Sequence, residues 1–196
     1  MRRIGVLLSI SLDGVIQAPG LPEEDTRGGF AHGGWAAPYN DEVMGRKMAE
    51  GMAAPGDMLF GRRTYENFAS FWPHQTDNNP FTAHLNAVTK YVVSNTLTEP
   101  LPWQNSILVS GDPADSVARL KETDGPDLSI TGSGQLVRTL LAAGLVDELF
   151  LLVHPLILGP GQRLFTEAGG YAELDLVEST TTTKGVVMSR YQPRTS

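Results

Sequence analysis

The stretch ITGSGQLV, residues 130–137, decides how the rest of the chain is read. An apolar run stops at Gly132-Ser133-Gly134, and an amphipathic helical pattern starts at once with Leu136, Val137, Leu140 and Leu141. Residues without bulky side chains let backbone N–H groups approach an anion, and a helix N-terminus adds partial positive charge. The same residues also suit a tight strand-to-helix turn that needs positive φ. Both readings stay open on this stretch alone. As a phosphate cradle it would exclude side chains at Gly134, where any substituent would intrude on the ligand. It is not a full dinucleotide fingerprint, because Val137 holds the third glycine position and Asp147 comes too early for the ribose-binding acid.

Working outward, strands and helices alternate on both sides. Residues 3–12 are rich in branched apolar residues and end at Asp13-Gly14, a strand followed by a turn. Residues 17–38 carry repeated glycine and proline with no sustained period, a long loop of the kind that forms a lid or binding loop. A helix follows from Asn40 or Asp41 to about Ala54, closed by Pro55-Gly56. Then come a short strand at 57–61, a helix at 64–71, a helix start at Asn79-Pro80, and strands at 90–94 and 106–110. Asp112-Pro113 opens another helix, 127–131 is a strand, and Gly144 ends the helix after the opening stretch. This alternation predicts an α/β domain with a largely parallel sheet. The last quarter reads as strands at 148–154, 175–183 and 185–192 with a hairpin turn at Lys184-Gly185, so antiparallel strands close one edge. With no repeat, linker or low-complexity tract, residues 1–196 read as a single domain.

Composition narrows the function classes. The net charge of -7 disfavours a nucleic-acid binder, which needs a basic face for phosphates. There is no cysteine, so disulfides, thiolate metal sites and thiol nucleophiles are out. His32, His74, His84 and His154 are scattered, without metal-ligand spacing, so no metal site is expected. No G-x-S-x-G nucleophile elbow occurs. No apolar run approaches the ~20 residues that span a bilayer. The opening strand lacks a signal-peptide cleavage site, which makes the cytoplasm the expected location.

Three strand ends carry small or cationic groups. Besides Gly132-Ser133-Gly134, they are Gly61-Arg62-Arg63-Thr64 and Ser94-Asn95. Two guanidinium groups at a helix start oppose the helix dipole, a conflict that a bound anion would relieve. Ligands of α/β sheets sit beyond the carboxyl ends of parallel strands, so the three junctions together say more than any one. Asp13, just past the first strand, is a candidate proton donor or substrate contact, with an ordinary turn aspartate as the alternative. Trp35 and Trp72, in or beside loops, are candidates to stack on a flat heterocycle, with packing as the alternative.

In order along the chain, Ser11-Leu12-Asp13-Gly14, Gly61-Arg62-Arg63-Thr64-Tyr65-Glu66, Val92-Val93-Ser94-Asn95, Thr131-Gly132-Ser133-Gly134-Gln135-Leu136 and Pro155-Leu156-Ile157-Leu158-Gly159-Pro160-Gly161 resemble the dihydrofolate reductase-like superfamily. The nearer resemblance is to the branch containing the reductase domain of riboflavin biosynthesis. It implies a three-layer α/β fold, a mostly parallel sheet with helices on both faces and antiparallel C-terminal strands. It implies NADPH as hydride donor, a homodimer, and a pteridine-like or ribosylaminopyrimidine-like substrate. Arg62 would meet the 2'-phosphate, aided by Gly61, Arg63, Thr64, Ser94 and Asn95. Gly132, Ser133, Gly134, Gln135 and Leu136 would cradle the pyrophosphate, and Ile16 would lie near the nicotinamide.

Two departures bear on the substrate. The arginine that holds the folate tail in dihydrofolate reductases is missing, since no arginine occurs from Thr64 through Ala118, and Val88-Thr89-Lys90 stands on that approach. The Asp-Asn-Pro run of the riboflavin branch has only a displaced counterpart in Asp77-Asn78-Asn79-Pro80. A binding protein that keeps the pocket without turnover is the rival expectation.

Overall fold

The computed structural model describes residues 1–52, 56–76, 79–167 and 170–194. The expected helix end at Ala54-Pro55 and the Asp77-Asn78 pair lie outside the described residues. Strand β1, Ile4–Ser11, buries Ile4, Val6, Leu8 and Ile10, while the residues between them are half-buried. A strand covered on both faces belongs in the middle of a sheet. Among the described residues, eight strands form a mostly parallel sheet with an antiparallel C-terminal part, accompanied by five α-helices.

The chain divides into two compact units. The first holds Met1–Gly5 and Ala49–Val146. In it β2 (Gly56–Gly61) pairs in parallel with β3 (Lys90–Val93) on one side and β5 (Asp127–Ile130) on the other, and β3 pairs in parallel with β4 (Ser106–Val109). Helices α2 (Arg62–Phe71) and α3 (Pro80–Ala87) lie between β2 and β3, α4 (Pro113–Glu122) lies between β4 and β5, and α5 (Gly134–Ala142) follows β5. The starts of α3 and α4 are legible in side-chain chemistry. Asn79 caps α3 through Phe81 N–H, and Asp112 caps α4 through the N–H groups of Ala114 and Asp115, with proline next in both. Helix α2 begins at Arg62, two residues before the expected Thr64, because the extended Gly61 directly precedes it. Met58, Phe60, Tyr65, Leu85, Val92 and Trp103 form the core. At the other end of the strands, buried Arg2 donates to Asp57 (2.6 Å) and to the Pro126 carbonyl (2.5 Å), with its guanidinium 4.9 Å from the Tyr91 ring centre.

The second unit holds Val6–Met48 and Asp147–Ser196. Here β6 (Glu148–His154), β8 (Val187–Pro193) and β7 (Leu174–Thr181) run antiparallel, with Leu151 opposite Ser189 and Ser189 opposite Ser179. Helix α1 (Glu42–Met52) sets Met44 and Met48 against Leu152, Val186 and Met188. The β7–β8 turn closes with Gly185 at φ +80°, its N–H bonded to the Thr182 carbonyl. The 17–38 loop has short 3-10 turns at Arg27–Gly29 and Ala37–Tyr39 and is pinned. Buried Gln17 donates through Nε2 to the carbonyls of Asp25 and Arg27 and accepts from Gln162 N–H, and Trp35 Nε1 donates to its carbonyl. No helix among the described residues is long and apolar enough to cross a membrane.

Candidate functional site

All the strand ends with small or cationic residues lie in the first unit, where four parallel strands end on the same side. Gly61 is the N-cap of α2 and carries no capping side chain, and no acidic residue stands in the first turn. The leading N–H groups of that helix are therefore open to an external acceptor, and its dipole favours an anion there. At the neighbouring strand, Ser133 caps α5, its Oγ accepting from Leu136 N–H at 3.5 Å.

These two junctions interlock. Gly61 N–H donates to the Gly132 carbonyl at 3.2 Å. A Cβ on Gly61 would lie 2.3 Å from Ser133 Oγ, and one on Gly132 would lie 2.6 Å from Thr64 Oγ1. Gly132 also has φ +150°, which side chains rarely tolerate, and its peptide bond to Ser133 is cis. The structure thus brings Gly61, Arg62, Arg63 and Thr64 together with Gly132, Ser133, Gly134, Gln135 and Leu136. Leu136 is buried, so its side chain serves the core, whereas Gln135 is exposed. The tight approach between the two junctions falls on Gly61 and Gly132, and Gly134 is the first residue of α5.

The two arginines differ. Arg62 Nη1 lies 3.4 Å from Glu66 Oε1, one turn along α2, with both side chains about two-fifths exposed (41 and 43%). Arg63 is exposed and makes no ion pair among the described residues. Ser94 and Asn95, by contrast, build the rim itself. Ser94 Oγ accepts from the N–H groups of Thr96 and Leu97, both at 3.1 Å. The Asn95 amide makes a reciprocal pair with the Gly111 backbone, at 3.0 and 2.7 Å.

Asp13, Ile16 and Trp35 belong to the second unit. Asp13 accepts from Ser11 Oγ at 2.7 Å and from the N–H groups of Leu158 and Gly159 at 3.1 and 2.8 Å, with Arg163 Nη2 at 3.4 Å. The Ser11 hydrogen bond, then those backbone donors, hold its pKa down at about 2 against the opposing effect of desolvation. Ionised at neutral pH, this carboxylate clasps the turn after β1 to the 158–159 segment. Ile16 is half-buried, its N–H bonded to the Gln162 carbonyl. Trp35 is buried with Val15, Ala18 and Phe30, edge-on to His154 at 5.1 Å. Trp72, in the first unit, packs against Phe71 and Phe81 at 5.1 and 4.9 Å. Both rings are held in packing, the alternative to stacking on a heterocycle.

Sequence reasoning passed over Glu66 and Gln17. The four-residue spacing from Arg62 to Glu66 was a visible signal. Gln17 had none, because its acceptors are backbone atoms. No group of three or more His, Asp or Glu that could hold a metal ion is present among the described residues.

Comparison with known proteins adds to this geometry. Residues 3–188 match the family model of the RibD C-terminal domain. The Bacillus subtilis protein YyaP is 29% identical over 137 residues, 68% of this chain and 72% of that protein. A Shewanella sp. PV-4 structure named for riboflavin biosynthesis superposes with TM-score 0.65 at 22% identity, covering 98% of this chain and 99% of that one. A pyrimidine reductase-like protein from Corynebacterium diphtheriae gives 0.63 at 14% identity, covering 100% and 93%. Dihydrofolate reductase from Enterococcus faecalis, complexed with NADP(H), gives 0.60 at 14% identity, covering 98% and 97%. These structures share the dihydrofolate reductase-like fold with this chain.

Proposed function

This chain belongs to the RibD C-terminal domain family, and from that premise we propose that it is an NADPH-dependent reductase of a small flat heterocycle. The single observation that carries the reading is the interlocked pair of junctions. Two helix N-termini meet across glycines that admit no side chain, beside two arginines in an otherwise acidic protein. Such a cradle suits the phosphates of a dinucleotide. Arg62 and Arg63 would hold the 2'-phosphate, and the N–H groups at the starts of α2 and α5 would face the pyrophosphate. When bound, the cofactor supplies a hydride, and the chain's own work is to bind and orient.

The substrate class follows from the family and from one buried cation. Lys90 stands on the approach where a folate-tail arginine would be expected. Its Nζ donates to the carbonyls of Leu85 and Val88 at 2.7 and 2.8 Å, 4.5 Å from the centre of the Trp103 ring. An ammonium so enclosed cannot hold a substrate carboxylate. This favours a substrate without a glutamate tail, a ribosylaminopyrimidine such as 5-amino-6-(5-phosphoribosylamino)uracil or a simple pteridine.

Two measurements test the reading. The purified protein, given NADPH and a panel of ribosylaminopyrimidines and pterins, should oxidise the cofactor only when one of them is present. Binding without oxidation across the panel would favour the non-catalytic rival. Replacing Arg62 and Arg63 together with alanine should weaken NADPH binding by roughly 2–4 kcal/mol, with much less effect on NADH. Equal losses for the two cofactors would remove the arginines from the 2'-phosphate.

A further inference from the structure

We propose that Glu66 narrows the NADPH-over-NADH preference of this site by competing with the 2'-phosphate for Arg62; the inference rests on the cofactor reading above. Arg62 and Glu66 are four residues apart on α2, 3.4 Å apart at their nearest atoms, and both partly exposed. The order of the pair matters. Arg62, the first residue of α2, opposes the helix dipole, and with the cation first and the anion one turn later this is the weaker orientation of an i,i+4 pair. Solvent weakens it further. The pair therefore holds the guanidinium near the start of α2 without locking it.

A ligand phosphate at that helix start would offer Arg62 more charge, two-point geometry and alignment with the dipole. Glu66 must then give up its partner. Every NADPH that binds through Arg62 displaces this carboxylate, whereas NADH, having no 2'-phosphate, leaves the pair intact. Arg63 makes no such pair among the described residues. Glu66 thus subtracts from the NADPH affinity and leaves the NADH affinity unchanged, which narrows the gap between them. It is a specificity residue acting through another side chain.

The test is a double-mutant cycle on the full chain, with dissociation constants for NADPH and NADH measured by calorimetry for wild type, Glu66→Gln, Arg62→Gln and the double variant. Glu66→Gln should tighten NADPH about two- to fivefold, the scale of a weak exposed ion pair, and leave NADH unchanged. In the Arg62→Gln background that gain should vanish. A gain that survives there would mean direct repulsion of the phosphate and would overturn competition through Arg62. Equal changes for both cofactors, or none, would overturn it too. Wild-type protein that binds NADPH no better than NADH, with no loss in Arg62→Gln, would instead sink the cofactor reading beneath it. Glu66 is exposed, and melting temperatures of all four proteins verify that each is folded.

Discussion

Gly132 carries two constraints that no other residue type meets, a φ of +150° and a Cβ position 2.6 Å from Thr64 Oγ1. Gly132→Ala should therefore cost at least about 1 kcal/mol in stability from the backbone alone, and more from the clash. Thr64→Ala removes the hydroxyl and methyl that the new Cβ would meet, so the double variant should be more stable than the sum of the single losses. Denaturant midpoints of the three variants measure this, and strict additivity would mean that the junctions do not interlock as described. Sequence alone located the small residues at these strand ends but not the way they interlock. The difference lies in a contact between segments distant in the chain, Ser133 against Gly61 and Thr64 against Gly132, which no local pattern records.

At the scale of elements, carboxylates act as clasps. Asp13 ties the turn after β1 to the 158–159 segment, and Asp41 ties the start of α1 to Thr183 through bonds of 2.9, 2.7 and 2.6 Å. The pKa of each is lowered to about 2, in Asp13 first by Ser11 and in Asp41 first by Met44 N–H. A carboxyl with a lowered folded pKa stabilises the fold above its unfolded value of about 3.9 and loses that contribution as pH falls toward 2. Asp13→Asn should therefore lower the melting temperature at pH 7, and the gap to wild type should close between about pH 4 and pH 2. A gap independent of pH would deny Asp13 its ionic role. The elements themselves were largely legible, since strand alternation, proline starts and side-chain caps are local chemistry. The state of the 17–38 loop was not. It read as a lid or a binding loop, and nothing local in it announced that Gln17 ties it through the backbone of Asp25, Arg27 and Gln162, with Trp35 buried within it.

For the whole molecule, the strand order leaves β7 at one edge. A register shift between Leu176 and Glu178 breaks the alternation there and leaves Leu176 and Val177 both exposed, at 58 and 52%. The strand's own acids are answered within the chain, Asp175 by Arg194 and Glu178 by Lys47, so like charges do not bar the edge from a second copy. An open apolar edge invites pairing. Sedimentation at micromolar concentration should show a homodimer that Leu176→Lys shifts toward monomer; a wild-type monomer would refute it. The same strand order has a consequence for biosynthesis. β1 is translated before the other described strands, yet Arg3, immediately before it, accepts its hydrogen bond from the N–H of Leu128 in β5. At roughly 5–20 residues per second, this apolar strand waits on the order of ten seconds on the ribosome before its first partner emerges. During that interval the nascent chain exposes a sticky segment with nothing to pair with, and its yield in the cell depends on whatever shields that segment until Leu128 arrives.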